Sequence, residues 1–499
     1  MFCVLLVAFG SWVFATPLGS APDEPAHVVK AVSVWQGELR GHPRSVPSLR
    51  PGVDVDLDVV RIPRSYLDYA AAGQCSWGKP DLNAACGVRP STSDRQVEAI
   101  TPAGSYHPLY YVLVGWPSRV LSGGTGVYAM RLVSASICAG LLTVAYCCLR
   151  RRVDQPRAAL ALVVALTPVA YYLGAIVNPN GVEVAAGIVT WCAALAVFGA
   201  WDAKVELDRC SVGGLVVGVG LLANGRVVGV AFAAAIIALA LGVAGWRRCR
   251  SMLSDRRAWL LAAALAATGV PALIWLVLNP VVVVAIPGFP AGQNEVISLL
   301  ATIDDWQRQQ VSMLGWNDTG PVIVSVAAWS IAGSLLLATV LMFARTSRIV
   351  VMGVAIGVAL LLPVALLIPT MDQIGPMWMG RYGLAFNAGL PVMAVLVTRG
   401  NLTWARVRPL ALTCAAICAV GIGAAQFSWL HRNAVGALGP LPLWEWHGWS
   451  PPIPAAVLLL TSLVAPVAAL WVGVADRPAS GPITAMESPD GDRQGVASP

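Results

Sequence analysis

Charge is scarce in this chain. Only 12% of its 499 residues are Asp, Glu, Lys or Arg, against about 25% in soluble globular proteins. Lysine occurs three times, as Lys30, Lys79 and Lys204, so the other 30 of the 33 basic residues are arginine. With many Ala, Val and Gly, that usage points to a GC-rich bacterial genome. Nucleotide motifs are missing too: there is no Walker-type loop, no Gly-rich dinucleotide fingerprint and no Cys-x-x-Cys pair. Gly123-Gly124-Thr125-Gly126 lacks the lysine a phosphate loop requires. These absences exclude a cytosolic enzyme, a disordered protein and a nucleic-acid binder. They also argue against ATP-driven transport by this chain alone.

Apolar sequence is what remains: 57% of residues are hydrophobic and the mean hydropathy is +0.69. A helix needs about 20 mostly apolar residues to cross a bilayer. Candidate spans fall at 2–18, 126–149, 157–177, 182–201, 211–223, 226–245, 258–279, 321–343, 348–369, 381–398, 409–426 and 453–474. The pattern predicts an all-α polytopic bundle of about twelve helices over 1–475. The short 211–223 run, closed by Asn224-Gly225-Arg226, allows a re-entrant half-helix.

Arginine clusters set the orientation. Arg150–Arg152, Arg247, Arg248, Arg250, Arg256, Arg257, Arg345, Arg348, Arg399, Arg406 and Arg408 share one side of this topology. The positive-inside rule makes that side cytoplasmic. Both termini then lie in the cytoplasm of a bacterial plasma membrane, and 19–125 forms one long outer loop. The first run is read as a retained span rather than a cleaved signal. Residues 476–499, rich in Pro, Ser, Gly and Asp, read as a disordered cytoplasmic tail. All five histidines fall outside, and so do Cys75 and Cys86. Their spacing suits a small disulfide loop in an oxidising compartment; two free thiols are the alternative.

Polar chemistry therefore concentrates on the outer face. Asp23 and Glu24 follow the first span and open a predicted helix through Pro25 and His27. They suit N-terminal helix charges, a general base or, with His27, a divalent metal site. Tyr106-His107-Pro108-Leu109-Tyr110-Tyr111 leads into an apolar stretch better suited to lying on the outer leaflet than to crossing it. Arg131, Glu183, Arg226 and Arg381 are charges at or near the outer ends of spans. Such charges mark candidate functional sites; the ordinary alternative for the arginines is snorkelling to the interface. Arginine also suits phosphate. Asp304-Asp305-Trp306, Gly375-Pro376-Met377-Trp378-Met379-Gly380-Arg381-Tyr382 and Trp444-Glu445-Trp446-His447 add interfacial aromatics that serve as membrane anchors or sugar platforms. Asn317-Asp318-Thr319 and Asn401-Leu402-Thr403 match the glycosylation pattern at chance frequency.

Pro22-Asp23-Glu24-Pro25-Ala26-His27, then Trp35-Gln36-Gly37-Glu38, resembles the start of the DUF2142 family of bacterial multi-pass membrane proteins. Tyr106–Tyr111, Asn178-Pro179-Asn180-Gly181-Val182-Glu183 and Gly380-Arg381-Tyr382 follow its pattern in order. That family in turn resembles the GT-C membrane glycosyltransferases. The resemblance implies a GT-C-like fold in which an acidic residue of the first outer loop acts at the catalytic centre. It also implies a polyprenyl-phosphate-linked sugar as donor and an envelope glycan or lipid as acceptor. Carried onto this sequence, Asp23 is the base or metal-binding carboxylate, with Glu24 beside it and His27 in the same motif. By charge and placement, Arg381 and then Arg226 are the phosphate contacts; Tyr106, His107 and Tyr382 complete the expected substrate-binding set. A transporter or flippase of lipid-linked glycans and a non-catalytic envelope-assembly protein are the competing readings.

Overall fold

Apolar runs of this length have one open-ended option in a bilayer. Helices satisfy every backbone N–H and C=O internally, where water cannot. The computed structural model describes residues 1–47, 54–202, 206–279, 297, 300–368, 378–398 and 404–475. The expected tail at 476–499, Asn401-Leu402-Thr403 and Gly375-Pro376-Met377 lie outside the described residues.

The chain opens with α1 (Phe2–Ala15) and α2 (Glu24–Trp35), then β1 (His42–Pro47), β2 (Asp54–Pro63) and α3 (Arg64–Ala72). β3 (Gln96–Thr101), α4 (Leu109–Gly115) and α5 (Gly123–Leu149) follow. Next come α6 (Gln155–Ala165), α7 (Pro168–Gly174), α8 (Pro179–Gly199), α9 (Arg209–Gly225) and α10 (Val227–Ala244). The amphipathic α11 (Trp246–Leu253) precedes α12 (Arg256–Leu278). The second half holds α13 (Ile303–Val311), α14 (Ile323–Phe343), α15 (Thr346–Leu367), α16 (Gly380–Asn387), α17 (Leu390–Val397), α18 (Trp404–Val435) and α19 (Ala455–Ala475).

Among the described residues nine segments are long and apolar enough to cross a membrane, α16 and α17 together forming one of them; the bent pair α6–α7 makes a tenth. The remaining two of the twelve expected spans, α1 and α9, are shorter apolar helices. α9 is nevertheless no half-helix. Asp208, its N-cap, pairs with Arg151 at one end of the bundle. Arg226, just past its other end, donates to Asn180 at the opposite end of α8. Seventeen residues rise about 25 Å, against about 31 Å for the 21 of α8 beside it.

The break between α6 and α7 is a bend of 82°. Pro168 lacks the N–H that would continue the helix, and the residue before a proline avoids α geometry. Thr167 instead caps α7 by accepting from Ala170 N–H, while its own hydroxyl donates to Gln310 C=O. The bend carries Val169, Tyr172 and Leu173 beneath the outer loops.

The two ends of the bundle are chemically distinct. At one, Arg152 donates to Gly199 C=O, Arg257 to Asp202 C=O and Arg348 to Val397 C=O. At the other lie the 19–125 segment, α13 and the end of α18.

That segment contains a sheet that helix-period reasoning overlooked. β1, β2 and β3 pair antiparallel in that order, with His42 opposite Val59 and Asp58 opposite Thr101. α4 has seven residues and does not cross anything. It buries Tyr110, Tyr111 and Val114, packing on α2, and leaves Val112 and Leu113 exposed, as are Trp116 and Val120 just beyond it, the pattern of a segment lying on an apolar phase.

Candidate active site

Asp23 and Glu24 have different fates. Asp23 occupies the N-cap of α2 with φ 63° and makes no side-chain cap bond. Both carboxylates thus sit at the helix N-terminus, as expected of N-terminal charges, without a side-chain cap bond. The Asp23 backbone is left-handed, a conformation Asp tolerates but other bulky residues resist. The turn aims its carboxylate across the bundle, where Oδ2 accepts from Arg381 Nη2 at 2.7 Å. The Asp23 side chain stays 41% exposed.

Glu24 is fully buried. Its Oε1 accepts from Arg131 Nε (2.8 Å) and Val177 N–H (2.9 Å). Its Oε2 accepts from Arg131 Nη2 (2.6 Å) and the Tyr69 hydroxyl (2.8 Å). Arg131 also donates to the carbonyls of Val13, Thr16 and Pro17. A buried carboxylate is tolerable only with such full pairing. This corrects two expectations. Glu24 has no free face for a proton or a metal, and Arg131 neither snorkels nor faces a ligand. Together they tie α1, α2, α3, α5 and the α7–α8 turn into one knot under Asp23.

His27 lies one helical turn past Asp23. Its Nδ1 shares a 2.9 Å hydrogen bond with the Tyr111 hydroxyl, and its ring lies 5.7 Å from that of Tyr106. Burial first, then Arg226 and Arg381, push its pKa down to about 4 against the opposing pull of Asp23. The imidazole is neutral at neutral pH. Among the described residues no three His, Cys, Asp or Glu side chains converge as metal ligands. Glu24 is saturated and His27 faces Tyr111, so the expected Asp23–Glu24–His27 set does not fit a divalent ion.

Arg226 sits at the N-cap position of α10 without a side-chain cap bond. Nη1 donates to Asn180 Oδ1 at 3.0 Å and lies 3.9 Å from Glu183 Oε2. Its guanidinium carbon stands 4.0 Å from the centre of the Tyr382 ring, and that of Arg381 stands 5.5 Å from the same ring. Two arginines from distant parts of the chain thus flank one tyrosine. Close by, Glu183 Oε1 and Asn178 Nδ2 are buried without hydrogen-bond partners.

Arg226 also heads a groove of about 530 Å³. Tyr106, His107, Asn224 and Arg226 are among its polar groups; Val227, Val230, Val270, Leu273 and Leu276 supply apolar wall. Its lining on α12 runs from Ala266 to Asn279, about 20 Å along the helix axis. His107 sits in this wall, edge-on to Trp275 at 5.8 Å. Trp275 in turn donates to Ser105 C=O.

The bonded Cys75–Cys86 pair closes a loop docked at the end of α18. Arg432 donates to Ser76 C=O (2.7 Å), Leu82 C=O (3.2 Å) and Asp318 Oδ2 (2.6 Å).

Asp23, His27, Tyr106, Arg226, Arg381 and Tyr382 therefore converge; His107 lies along the groove and Glu24 is withdrawn. Sequence reasoning passed over Lys30. Lys30 is buried and donates to the carbonyls of Leu39 and Gly104, with burial lowering its pKa to about 8. A lysine amid Val28, Val29 and Val32 was the available signal.

A multi-pass helical bundle with one polar centre at the mouth of a lateral apolar groove defines the class. The chain belongs to the DUF2142 family, described as predicted membrane proteins, whose pattern matches residues 6–390. No curated protein matches the sequence. Among solved structures, the fold is similar to that of ArnT from Cupriavidus metallidurans, crystallised bound to undecaprenyl phosphate. The two are 14% identical with a TM-score of 0.45, and the match covers 95% of this chain and 77% of that one.

Proposed function

We propose that this protein is a membrane glycosyltransferase of GT-C type, moving a sugar from a polyprenyl-phosphate donor to an envelope acceptor on the extracytoplasmic face. The observation that carries the reading is the Asp23–Arg381 pair. It joins residues 358 positions apart, on a left-handed backbone, beside a long apolar groove headed by a second arginine. The groove suits a single apolar chain, with its phosphate against Arg226 and Arg381 as charge-assisted hydrogen-bond donors.

The reaction follows from those placements. An acceptor hydroxyl attacks the anomeric carbon, forming a new C–O bond. The bond from that carbon to the phosphate oxygen breaks, and its electron pair leaves with the lipid phosphate. Asp23 takes the hydroxyl proton. Arg381 pairs with Asp23 in the resting protein; turning to the phosphate, it leaves the carboxylate free as a base. Donors placed where charge develops supply much of such catalysis. No metal is needed to balance these steps.

The arginine-rich end is the cytoplasmic one under the positive-inside rule, which puts both termini there and Asp23 outside. The test is purified protein in proteoliposomes supplied with polyprenyl-phosphate sugars. Transfer or donor cleavage by the parent chain and its loss in Asp23→Asn is the expected result. Undiminished transfer by Asp23→Asn, or labelling of position 23 from the cytoplasmic side, would overturn the proposal.

A further inference from the structure

A second space, separate from the groove, lies at Arg381 and at Pro22 beside Asp23. Pro22, Tyr172, Met313, Asn317, Met379 and Arg381 line a narrow slot. Its interior volume is about 10 Å³, room for about one water or one hydroxyl. Two of its lining residues carry buried groups without a hydrogen-bond partner, the Tyr172 hydroxyl and Arg381 Nε. Tyr172 is 2% exposed. An unpaired buried polar group costs about 1–3 kcal/mol, so a folded protein seldom retains one unless something satisfies it.

The backbone points to the same place. Among the described residues only Asp23 and Asn317 are non-glycine with positive φ. Asn317 lines the slot, and Asp23 adjoins it through Pro22 and Arg381. Strain of this kind clusters at ligand sites. Between the lining residues Gly315 and Asn317 in the chain, Trp316 is 37% exposed, with its ring 4.6 Å from that of Trp77. Trp77 belongs to the disulfide-closed loop and donates to Gly19 C=O.

The lining offers neutral hydroxyl and amide groups, two thioethers, a proline face and one guanidinium already paired with a carboxylate. While Arg381 is held by Asp23, as in the resting protein, no other positive charge lines it. Mixed C–H and O–H surface is the character of a carbohydrate. We propose that this slot is a second subsite, which takes one hydroxyl of a neutral sugar while the sugar ring rests at the mouth against Trp316. The inference rests on the transferase reading in one respect: that hydroxyl is the acceptor's, presented to Asp23.

The slot's own methionines report on it. Full-length protein in nanodiscs is oxidised briefly with dilute peroxide, and Met313 and Met379 are followed by mass spectrometry. The probes are methyl glycosides of neutral hexoses and pentoses, with methyl glucuronide and inorganic phosphate as anionic comparisons. At least one neutral glycoside should slow oxidation of both methionines several-fold. Tyr172→Phe and Asn317→Gly, which keep the ring and the left-handed backbone, should each raise the half-protecting concentration about tenfold, one hydrogen bond's worth. Unchanged oxidation with every neutral glycoside, stronger protection by the anions, or equal protection in both variants overturns the proposal. The two readings fail separately. Protection without donor cleavage removes the transferase and keeps the subsite. Transfer unaffected by either slot variant removes the subsite and keeps the transferase.

Discussion

Asp23 and Glu24 are neighbours with opposite surroundings. Asp23 is partly exposed, strained in its backbone and bound to one arginine. Glu24 is sealed from solvent and receives four hydrogen bonds. The knot around Glu24 fixes the start of α2, and a fixed helix start is what holds the preceding residue in an unfavourable conformation. One acid builds the platform, and the other stands on it.

The sharpest way to break that contrast is Glu24→Ala. It leaves Arg131 charged and unpaired in the interior, a loss of about 3–5 kcal/mol, read as a collapse of the melting temperature in detergent. Glu24→Leu combined with Arg131→Met removes both charges and should recover much of that loss. Asp23→Asn should do the reverse. Its melting temperature should stay near the parent's, since Asn tolerates the left-handed region, while the transfer rate drops about 10²–10⁴-fold. If Asp23→Asn melts as early as Glu24→Ala, the contrast is wrong.

Acid provides a third lever. His27 has a folded pKa of about 4 against 6.5 for the free side chain. Below pH 6.5 the unfolded chain takes up a proton that the folded one refuses. Stability is therefore complete above pH 6.5 and declines toward pH 4, by about 3 kcal/mol at most. Melting curves across that range should show the decline, and His27→Phe should flatten it. The smallest effect belongs to Arg381→Gln. It should weaken protection by added polyprenyl phosphate about tenfold and barely move the melting temperature without lipid, since the partner Asp23 can turn to water.

The helical bundle was legible because apolar length is a strong signal and arginine clustering orders the ends. The division between Asp23 and Glu24 was not. Nothing local distinguishes two adjacent carboxylates; the difference comes from Tyr69, Arg131 and Val177, up to 153 positions away. The sheet had left a trace: Asp54-Val55-Asp56-Leu57-Asp58-Val59 alternates acid and aliphatic, the period of a strand. A search tuned to membrane helices passes over it. Arg226 and Arg381 stood out as costly charges, but their meeting across Tyr382 depends on packing between distant helices. Tyr172 gave no sign at all, because an unpaired hydroxyl is recognised only once its neighbours are known.

Of the 23 residues of α12, only Leu261 is buried. That helix nonetheless forms one whole side of the groove. In a bilayer a helix surface gains little from leaving lipid for protein, so the surrounding acyl chains hold this wall as much as the protein does. Thickness mismatch tilts or shifts such a helix at a cost of fractions of a kcal/mol per Å. If the groove takes the long-chain donor proposed above, its opening is therefore tuned by membrane composition, and detergent micelles will not reproduce the aperture of the native bilayer.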